Sequence, residues 1–574
     1  MTKPTAMERA GIAGALVLVL SCAASSENSP AGSTGFGGTF GSGNGSADQP
    51  SFGGTTGAGG ATASSGGSVG SGGAPLPPEQ EVESTYEVPV ATGHFVWTAN
   101  ATSGRIAYVD ATALTVRTVE AGDGPGAMAV VPGTADAVVV LNTLSNDATY
   151  LQASGTTLTS RTFSDVAPGS NVWAVSPDGR FAIAWTDARQ IANAPSTQGF
   201  HEVTIIDLKA AATDAGTKTL AVGYRPASFA FSADSKKAYA VTEDGVSVLS
   251  LATEAVVSTV ALGADGVTTD VEDTRDVSIT PDGRLAVVRR DGSADVRVVD
   301  LDAGTHTTLT LSGPVTDVDV SNDGARGVAV ARDTGDVAVF TLAGTAPTTA
   351  THVAAPTGTI VGQVSLTGSG TTAVLYSNAV ASERIVVLTL GAGAPALHIV
   401  KLHAAVLSAF PTPDGKFAVV LHPADAPPNA QPTAGAADGG AADAGVVAAA
   451  PLPAAVAFSL APLDGTQPPR IEMADGPIRA VAVSPMSDAA LVTVRDDAKA
   501  IYGTYLGVFP SLEVKHAPLS SPPIATGVVG GAKRGYVAQQ HPDGRITFIS
   551  LDSGDARTLT GYELGARVVD WSQP

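Results

Sequence analysis

The chain has 574 residues, of which 44% are hydrophobic, only 15% charged and 5% aromatic, while glycine (65) and proline (37) are abundant. That composition suits many turns and small strand residues and argues against a helical bundle. A net charge of −22 excludes a general electrostatic attraction to nucleic acid or to anionic lipid surfaces.

The first element is a leader. Lys3 and Arg9 precede an apolar run from Gly11 to Leu20 (GIAGALVLVL), too short to span a bilayer comfortably as a mature helix but suited to the core of a signal peptide. The run ends in Val19-Leu20-Ser21-Cys22, and Cys22 is the only cysteine of the chain. This arrangement resembles the lipobox of bacterial lipoproteins. The resemblance implies a signal peptide over 1–21, lipidation of Cys22 and a lipid anchor to a membrane. Ala23, standing where an aspartate would retain the protein, implies the outer membrane, facing the periplasm or the cell surface. Cleavage removes Lys3, Glu8 and Arg9, a net +1, so the mature charge becomes −23. No cysteine then remains for a disulfide, and packing alone must hold the fold.

Residues 22–88 are predicted to be a flexible tether. Stretches such as GFGGTFGSGNGS and SSGGSVGSGG carry no apolar periodicity and cannot bury enough surface to offset their conformational entropy. About 50 such residues reach roughly 40 Å end to end. The G-x-S-x-G match at Gly66–Gly70 has neither the strand nor the helix that a nucleophile elbow needs.

From residue 89 the texture changes to short runs of Val, Ala, Ile, Thr and Leu with period two, which predicts strands. One turn punctuates them: SPDGR at 176–180, SADSK at 232–236, TPDGR at 280–284, SNDGA at 321–325, TPDGK at 412–416 and SPMSD at 484–488. Proline presets the bend, aspartate bonds back to its own backbone, and glycine accepts positive φ. Degenerate copies at 130–136, 365–371 and 528–534 fill the gaps, and most steps between turns lie near 45 residues. Four short strands at that period are the signature of a propeller blade.

A third strand in each unit often ends in Asp or Ser before Leu, as in VTIIDL (203–208), VRVVDL (296–301) and ITFISL (546–551). Two long steps place extra chain between the second and third strands, at 187–200 and at 423–453; the second is a low-complexity segment predicted to be a disordered insertion. Residues 95–122 offer three strands without a first, and ARVVDWSQ at 566–573 reads as a lone first strand. The expected fold is therefore an all-β propeller of about ten four-stranded repeats, closed by the C-terminal strand. A seven- or eight-bladed ring with extra sheet, or two smaller rings, are alternatives. The PDG turn and the VVDL strand resemble the YVTN-type and WD-like propellers of bacterial envelope proteins, the class that includes lactonase-like folds. The resemblance spans roughly 90–574 and speaks to architecture. The Trp-Asp dipeptide of true WD repeats is missing.

Catalytic signatures are sparse. There is no H-E-x-x-H, P-loop or C-x-x-C, and His398 and His403 sit on strand and loop, where they do not converge. No cofactor or metal is expected. The richest constellation is TTDVEDTRD at 268–276, just before the first strand of the fifth repeat. It places Asp270, Glu272, Asp273, Arg275 and Asp276 near the mouth of a central channel. Arg479 and Arg567 precede their turns in the way that Arg275 does, and Arg225 lies two positions further out. Converging arginines suit carboxylates or peptide backbones, so the sharp expectation is an anion or acidic-peptide site. The bland one is that these arginines pair with neighbouring carboxylates and close the channel. Three functions follow: a tethered propeller binding an envelope protein or peptide, a lactonase-like hydrolase, or a structural surface protein.

Overall fold

The structure, a computed structural model, describes residues 89–561 and 569–570, apart from positions 102, 192, 196, 212–213, 263–274, 344–345, 392, 425–452 and 542. Cys22, the leader, residues 22–88 and most of the insertion at 423–453 lie outside the described residues. Among those described, no helix is long and apolar enough to cross a membrane.

Ten antiparallel four-stranded units follow one another as blades: residues 90–120, 125–163, 172–221, 228–260, 275–310, 317–354, 363–401, 408–475, 478–518 and 523–560. Within each blade the strands pair in chain order. The first strands of successive blades approach one another, as Asp317–Val320 does Gln363–Leu366, and the fourth strands are largely exposed, as in Thr115–Glu120. The first strands thus gather at the centre and the fourth form the rim.

Hydrophobic packing defines the ring. Ten core clusters each join two consecutive blades, and one of them joins the last blade to the first. In the second strand of blade 2, Ala137, Val139 and Leu141 face blade 3, whereas Val138 and Val140 face blade 1. Both faces are buried, so middle strands such as Ala137–Asn142 and Phe181–Trp185 are buried along their whole length. The period-two expectation of a half-buried strand fails there, because each sheet is sandwiched between two others. Trp97 and Trp173 are packing anchors: both are essentially fully buried, and the indole of Trp173 donates across a seam to the carbonyl of Ala127 at 3.0 Å.

Closure differs from the expectation in its detail. Blade 1 has its own first strand, Val90–Ala91, paired with Val96 and Trp97. It is two residues long and follows Pro89, so it leaves almost no periodic signal. The described part of the C-terminal strand, Val569–Asp570, pairs with the fourth strand of blade 10, Ala556–Thr560. The ring is closed by packing: Tyr536 of blade 10 is fully buried among Val96, Ala107 and Val109 of blade 1, and its hydroxyl donates to the carbonyl of Pro89 at 2.6 Å.

A second departure lies between blades 8 and 9, whereas the long step there comes from the insertion between Pro423 and Ala455. Blades 8 and 9 share a 14-residue strand, Arg470–Val483. Its first half pairs as the outer strand of blade 8 and its second half as the first strand of blade 9, with no separate loop between.

The recurrent turns form a belt around one face. In five of them, at Ser176, Ser232, Thr280, Ser321 and Thr412, a buried hydroxyl donates to the aspartate two residues on and accepts the backbone N–H five residues on; in SPMSD the hydroxyl of Ser484 reaches Asp488 instead. For Ser176 these bonds reach Asp178 Oδ1 at 2.6 Å and come from Phe181 N at 2.9 Å; Thr280, Ser321 and Thr412 repeat the pattern. Each turn also leans on the one before it. Gly179 has φ +62°, and a Cβ there would lie 2.1 Å from the carbonyl oxygen of Pro132 in the preceding blade. Where serine replaces this glycine, at Ser235 and Ser487, the residue still adopts positive φ, and its hydroxyl accepts the N–H of Asp178 or Asp414 in the preceding turn.

This geometry ranks two substitutions. Gly415 shares the positive φ of Gly179, but a Cβ there meets only side-chain atoms at 3.2 Å or more. Gly415→Ala should cost about 1 kcal/mol, the usual penalty of the left-handed region. Gly179→Ala must also displace backbone, and its urea midpoint should fall clearly further. Equal midpoints for the two variants would show that the turns do not bear on one another.

Candidate functional site

Loops entering each first strand and loops between second and third strands share the face opposite the turn belt. Their backbones are pinned by buried polar side chains. Thr204 Oγ1 accepts the N–H of Ala167 (2.8 Å), Ser247 Oγ that of Gly223 (3.1 Å), Asp336 Oδ2 that of Ser312 (2.9 Å) and Gln539 Oε1 that of Ser521 (3.3 Å). Each satisfies a donor that the loop would otherwise bury without a partner.

Blade 8 uses a histidine for the same task. His422 Nδ1 donates to the carbonyl of Ala405 at 2.8 Å, which leaves Nε2 to accept the hydroxyl of Ser459 at 2.7 Å. Burial holds the imidazole below its usual pKa and therefore neutral. A hydroxyl donating to an oriented imidazole is the arrangement of a nucleophile and its base. Here both residues are fully buried (0% exposed), so the pair is a loop anchor in this conformation.

Among the described residues, Arg225, Asp276 and Arg479 of the expected channel mouth each have separate surroundings. Asp270, Glu272, Asp273 and Arg567 lie outside the described residues. The backbone of Arg275 opens the first strand of blade 5, opposite Arg290, and its side chain lies outside the described residues. Asp276 is 9% exposed and bonded to Arg289, whose Nε donates to Asp276 Oδ2 at 2.6 Å. Arg225 holds the 187–200 loop: its guanidinium donates to the carbonyls of Pro195 (2.6 Å) and Gln198 (3.2 Å), and its own N–H to that of Gly199 (2.7 Å). Arg479 occupies a bulge between Ile478 and Ala480 in the first strand of blade 9 and is exposed. Its charge helps hold the Asp497 carboxyl below the usual range, after the larger effect of the Arg495 hydrogen bond.

Sequence reading missed the most unusual carboxylates. The first strand of blade 6, Asp317–Val320, alternates Asp and Val. Burial pushes Asp317 up to about 7 and Asp319 up to about 8, against hydrogen bonds from Val364 and Leu366 that favour the ionised form. The signal was visible, since the equivalent positions of other described first strands hold at most one acid, as in Val172 and Ala174 or Asp276 and Ser278, where this one has two.

Among the described residues, two regions of the loop face stand out. Between blades 2 and 3 lies a shallow cleft of about 470 Å³, lined by Asp147, Asp165 and Glu202 and by Ser145, Ser164 and Thr219. Leu144, next to its rim, is 75% exposed. The second region is the bulge bearing Arg479. Among the described residues, no group of three or more His, Cys, Asp or Glu side chains could hold a metal ion.

The roles of Arg289 and Arg225 separate by stability. Arg289→Met removes the guanidinium that bonds Asp276 in a buried setting and should cost about 3–5 kcal/mol, read as a fall in the urea midpoint. Arg225→Ala should leave the midpoint nearly unchanged but speed proteolysis within 187–200. A large stability loss in Arg225→Ala would show that the loop is integral to the ring.

No protein-family model matches this chain, and no curated protein matches it. Among solved structures, the chain is similar to a dihydro-heme d1 dehydrogenase, NirN, in complex with DHE, at 15% identity over 64% of this chain and 71% of that one, with a TM-score of 0.38. It is similar to the hydrazine synthase of Kuenenia stuttgartiensis at 14% identity, over 59% and 96% of the two chains, with a TM-score of 0.31. A eukaryotic initiation factor structure shows 11% identity over 74% and 96%, with a TM-score of 0.40. Likenesses this distant carry nothing about activity, and the fold rests on the chain's own evidence: sheets paired in chain order and ten seams that close into one propeller ring.

Proposed function

We propose that this protein is an outer-membrane lipoprotein whose propeller, held on a flexible lead from Cys22, binds an envelope protein or peptide through its loop face. The observation that carries the binding role is the open cleft between blades 2 and 3, with Leu144 exposed beside it. Elsewhere on this face, buried polar groups and arginines such as Arg225 and Arg289 are engaged in holding loops and strands. In the cleft, Asp147 accepts from Asn142 Nδ2 at 2.6 Å and Asp165 from the Ser164 hydroxyl at 2.8 Å, both within their own loops, and Asp165 and Glu202 are exposed. Three carboxylates and an apolar knob fit a peptide that presents a basic side chain beside an apolar one. The leader and the Val19–Cys22 motif support the anchor, and the composition of 22–88 supports the lead.

Binding and anchoring are tested separately. Tagged mature protein should capture a specific partner from its native envelope. The Leu144→Asp/Asp165→Asn/Glu202→Gln variant, altered at surface positions, should capture at least about tenfold less, equivalent to roughly 1.4 kcal/mol. Arg479→Ala is the comparison: loss with this variant alone would move the site to the blade 9 bulge and return it to the anionic class. Equal capture by all forms would overturn the loop-face reading. For the anchor, Cys22→Ser should abolish metabolic labelling with a fatty acid and release the protein from the membrane fraction; persistent labelling would disprove lipidation at Cys22.

A further inference from the structure

We propose that the seam between blades 6 and 7 is a proton-operated latch: the carboxyl groups of Asp317 and Asp319 lock the first strands of the two blades together when this cluster holds protons, and the seam loosens as it loses them.

The geometry is a pair of side-chain rungs. Asp317 Oδ2 accepts the N–H of Val364 at 2.8 Å, and Asp319 Oδ2 accepts the N–H of Leu366 at 2.8 Å. The other oxygen of each carboxyl folds back onto the next residue, accepting the N–H of Val318 or Val320 at 2.8 Å. Both partners are spaced by two, 317 with 364 and 319 with 366. The side chains therefore do between two sheets what a backbone ladder does within one. Since the two strands belong to different sheets, these rungs are the direct polar link across the centre of that seam.

The charge balance makes the link sensitive to protons. On the blade 5 side, Arg289 faces Asp317, but it is also bonded to Asp276 and to Asp291. Asp276 itself adds a negative charge beside Asp317. On the blade 7 side, the first two strands read QVSL and TAVLY and bring Gln363, Ser365 and Tyr376, with no carboxylate and no cation. Within blade 6, Arg326 lies at the far end of the second strand and donates to the carbonyls of Leu390 and Gly391. Asp319 is only 4% exposed, whereas Asp317, at the start of the strand, is half-buried. Ionising both carboxyls places two like charges in a poorly hydrated seam, a cost that opening to water relieves.

The direction follows from linkage. The closed seam holds protons up to about pH 7 for Asp317 and about pH 8 for Asp319, whereas in an opened, hydrated seam both would release them near pH 4. Closure is therefore fully favoured below about pH 4, weakens as pH rises to about 8, and changes little beyond.

Amide hydrogen exchange on the mature chain tests this, corrected for the intrinsic pH dependence of exchange. Opening at Val364 and Leu366 should increase at least about tenfold between pH 5 and 8.5, the effect of one unit of pKa displacement. The N–H of Ala167, held across its own loop by the neutral hydroxyl of Thr204, should change far less. In Asp317→Asn/Asp319→Asn the pH dependence at Val364 and Leu366 should flatten. If their protection tracks that of Ala167 across the range, or if the double variant keeps the same pH dependence, the latch is wrong. The comparison of amides within the parent protein decides the matter even if the variant fails to fold.

Discussion

Every sheet of this protein has two apolar faces, and neither can be left in water. A half-buried sheet needs one partner; a sheet buried on both sides needs two, and so does each of its partners. A row of such sheets ends only by meeting itself. The alternation of Ala137, Val139 and Leu141 toward one neighbour with Val138 and Val140 toward the other states this requirement within a single strand. The seam built by Tyr536, Phe548, Val96 and Val109 is its solution, because it joins the last blade to the first. With no disulfide within the ring, apolar burial of this kind carries the fold.

That constraint sorts the polar residues. Where strands are apolar on both sides, hydroxyls, carboxylates and guanidiniums are driven to the strand ends, and the two ends are used differently. At one, hydroxyl–aspartate turns bond to themselves and bear on their neighbours, as Ser235 does through the N–H of Asp178. At the other, Thr204, Ser247, His422 and Gln539 hold loops of unequal length and sequence. A repeated, self-bonded face suits rigidity. An irregular face held by a few internal anchors can vary in its exposed groups without disturbing the core, which is where binding surfaces on rigid scaffolds usually arise.

The repeat was legible because its turn is chemical: Ser or Thr, Asp and Gly each do a job that few other residues do, so the spacing of blades could be read directly. The two-residue strand Val90–Ala91 could not be, since it has no room for a period. The strand at Val569–Asp570 was visible, but not the edge it would join, because every rim strand presents the same hydrogen-bonding groups. The expected role of Arg225 shows the limit of position without partners. Arg225 stands near the predicted place, yet carbonyls at Pro195 and Gln198 claim it, and those contacts depend on how the 187–200 loop folds back. Asp317 and Asp319 were the opposite case. Their residue types were conspicuous, but their meaning came only from Val364 and Leu366, 47 residues away.

The 14-residue strand Arg470–Val483 gives the ring an uneven compliance. At other seams a loop intervenes between the rim of one blade and the centre of the next, and a loop can bend. Between blades 8 and 9 a continuous hydrogen-bonded sheet crosses from one to the other, so those two blades cannot tilt independently without breaking backbone pairing. Any widening or twisting of the ring must therefore be absorbed elsewhere, and this fused pair is the stiff sector against which the other blades move.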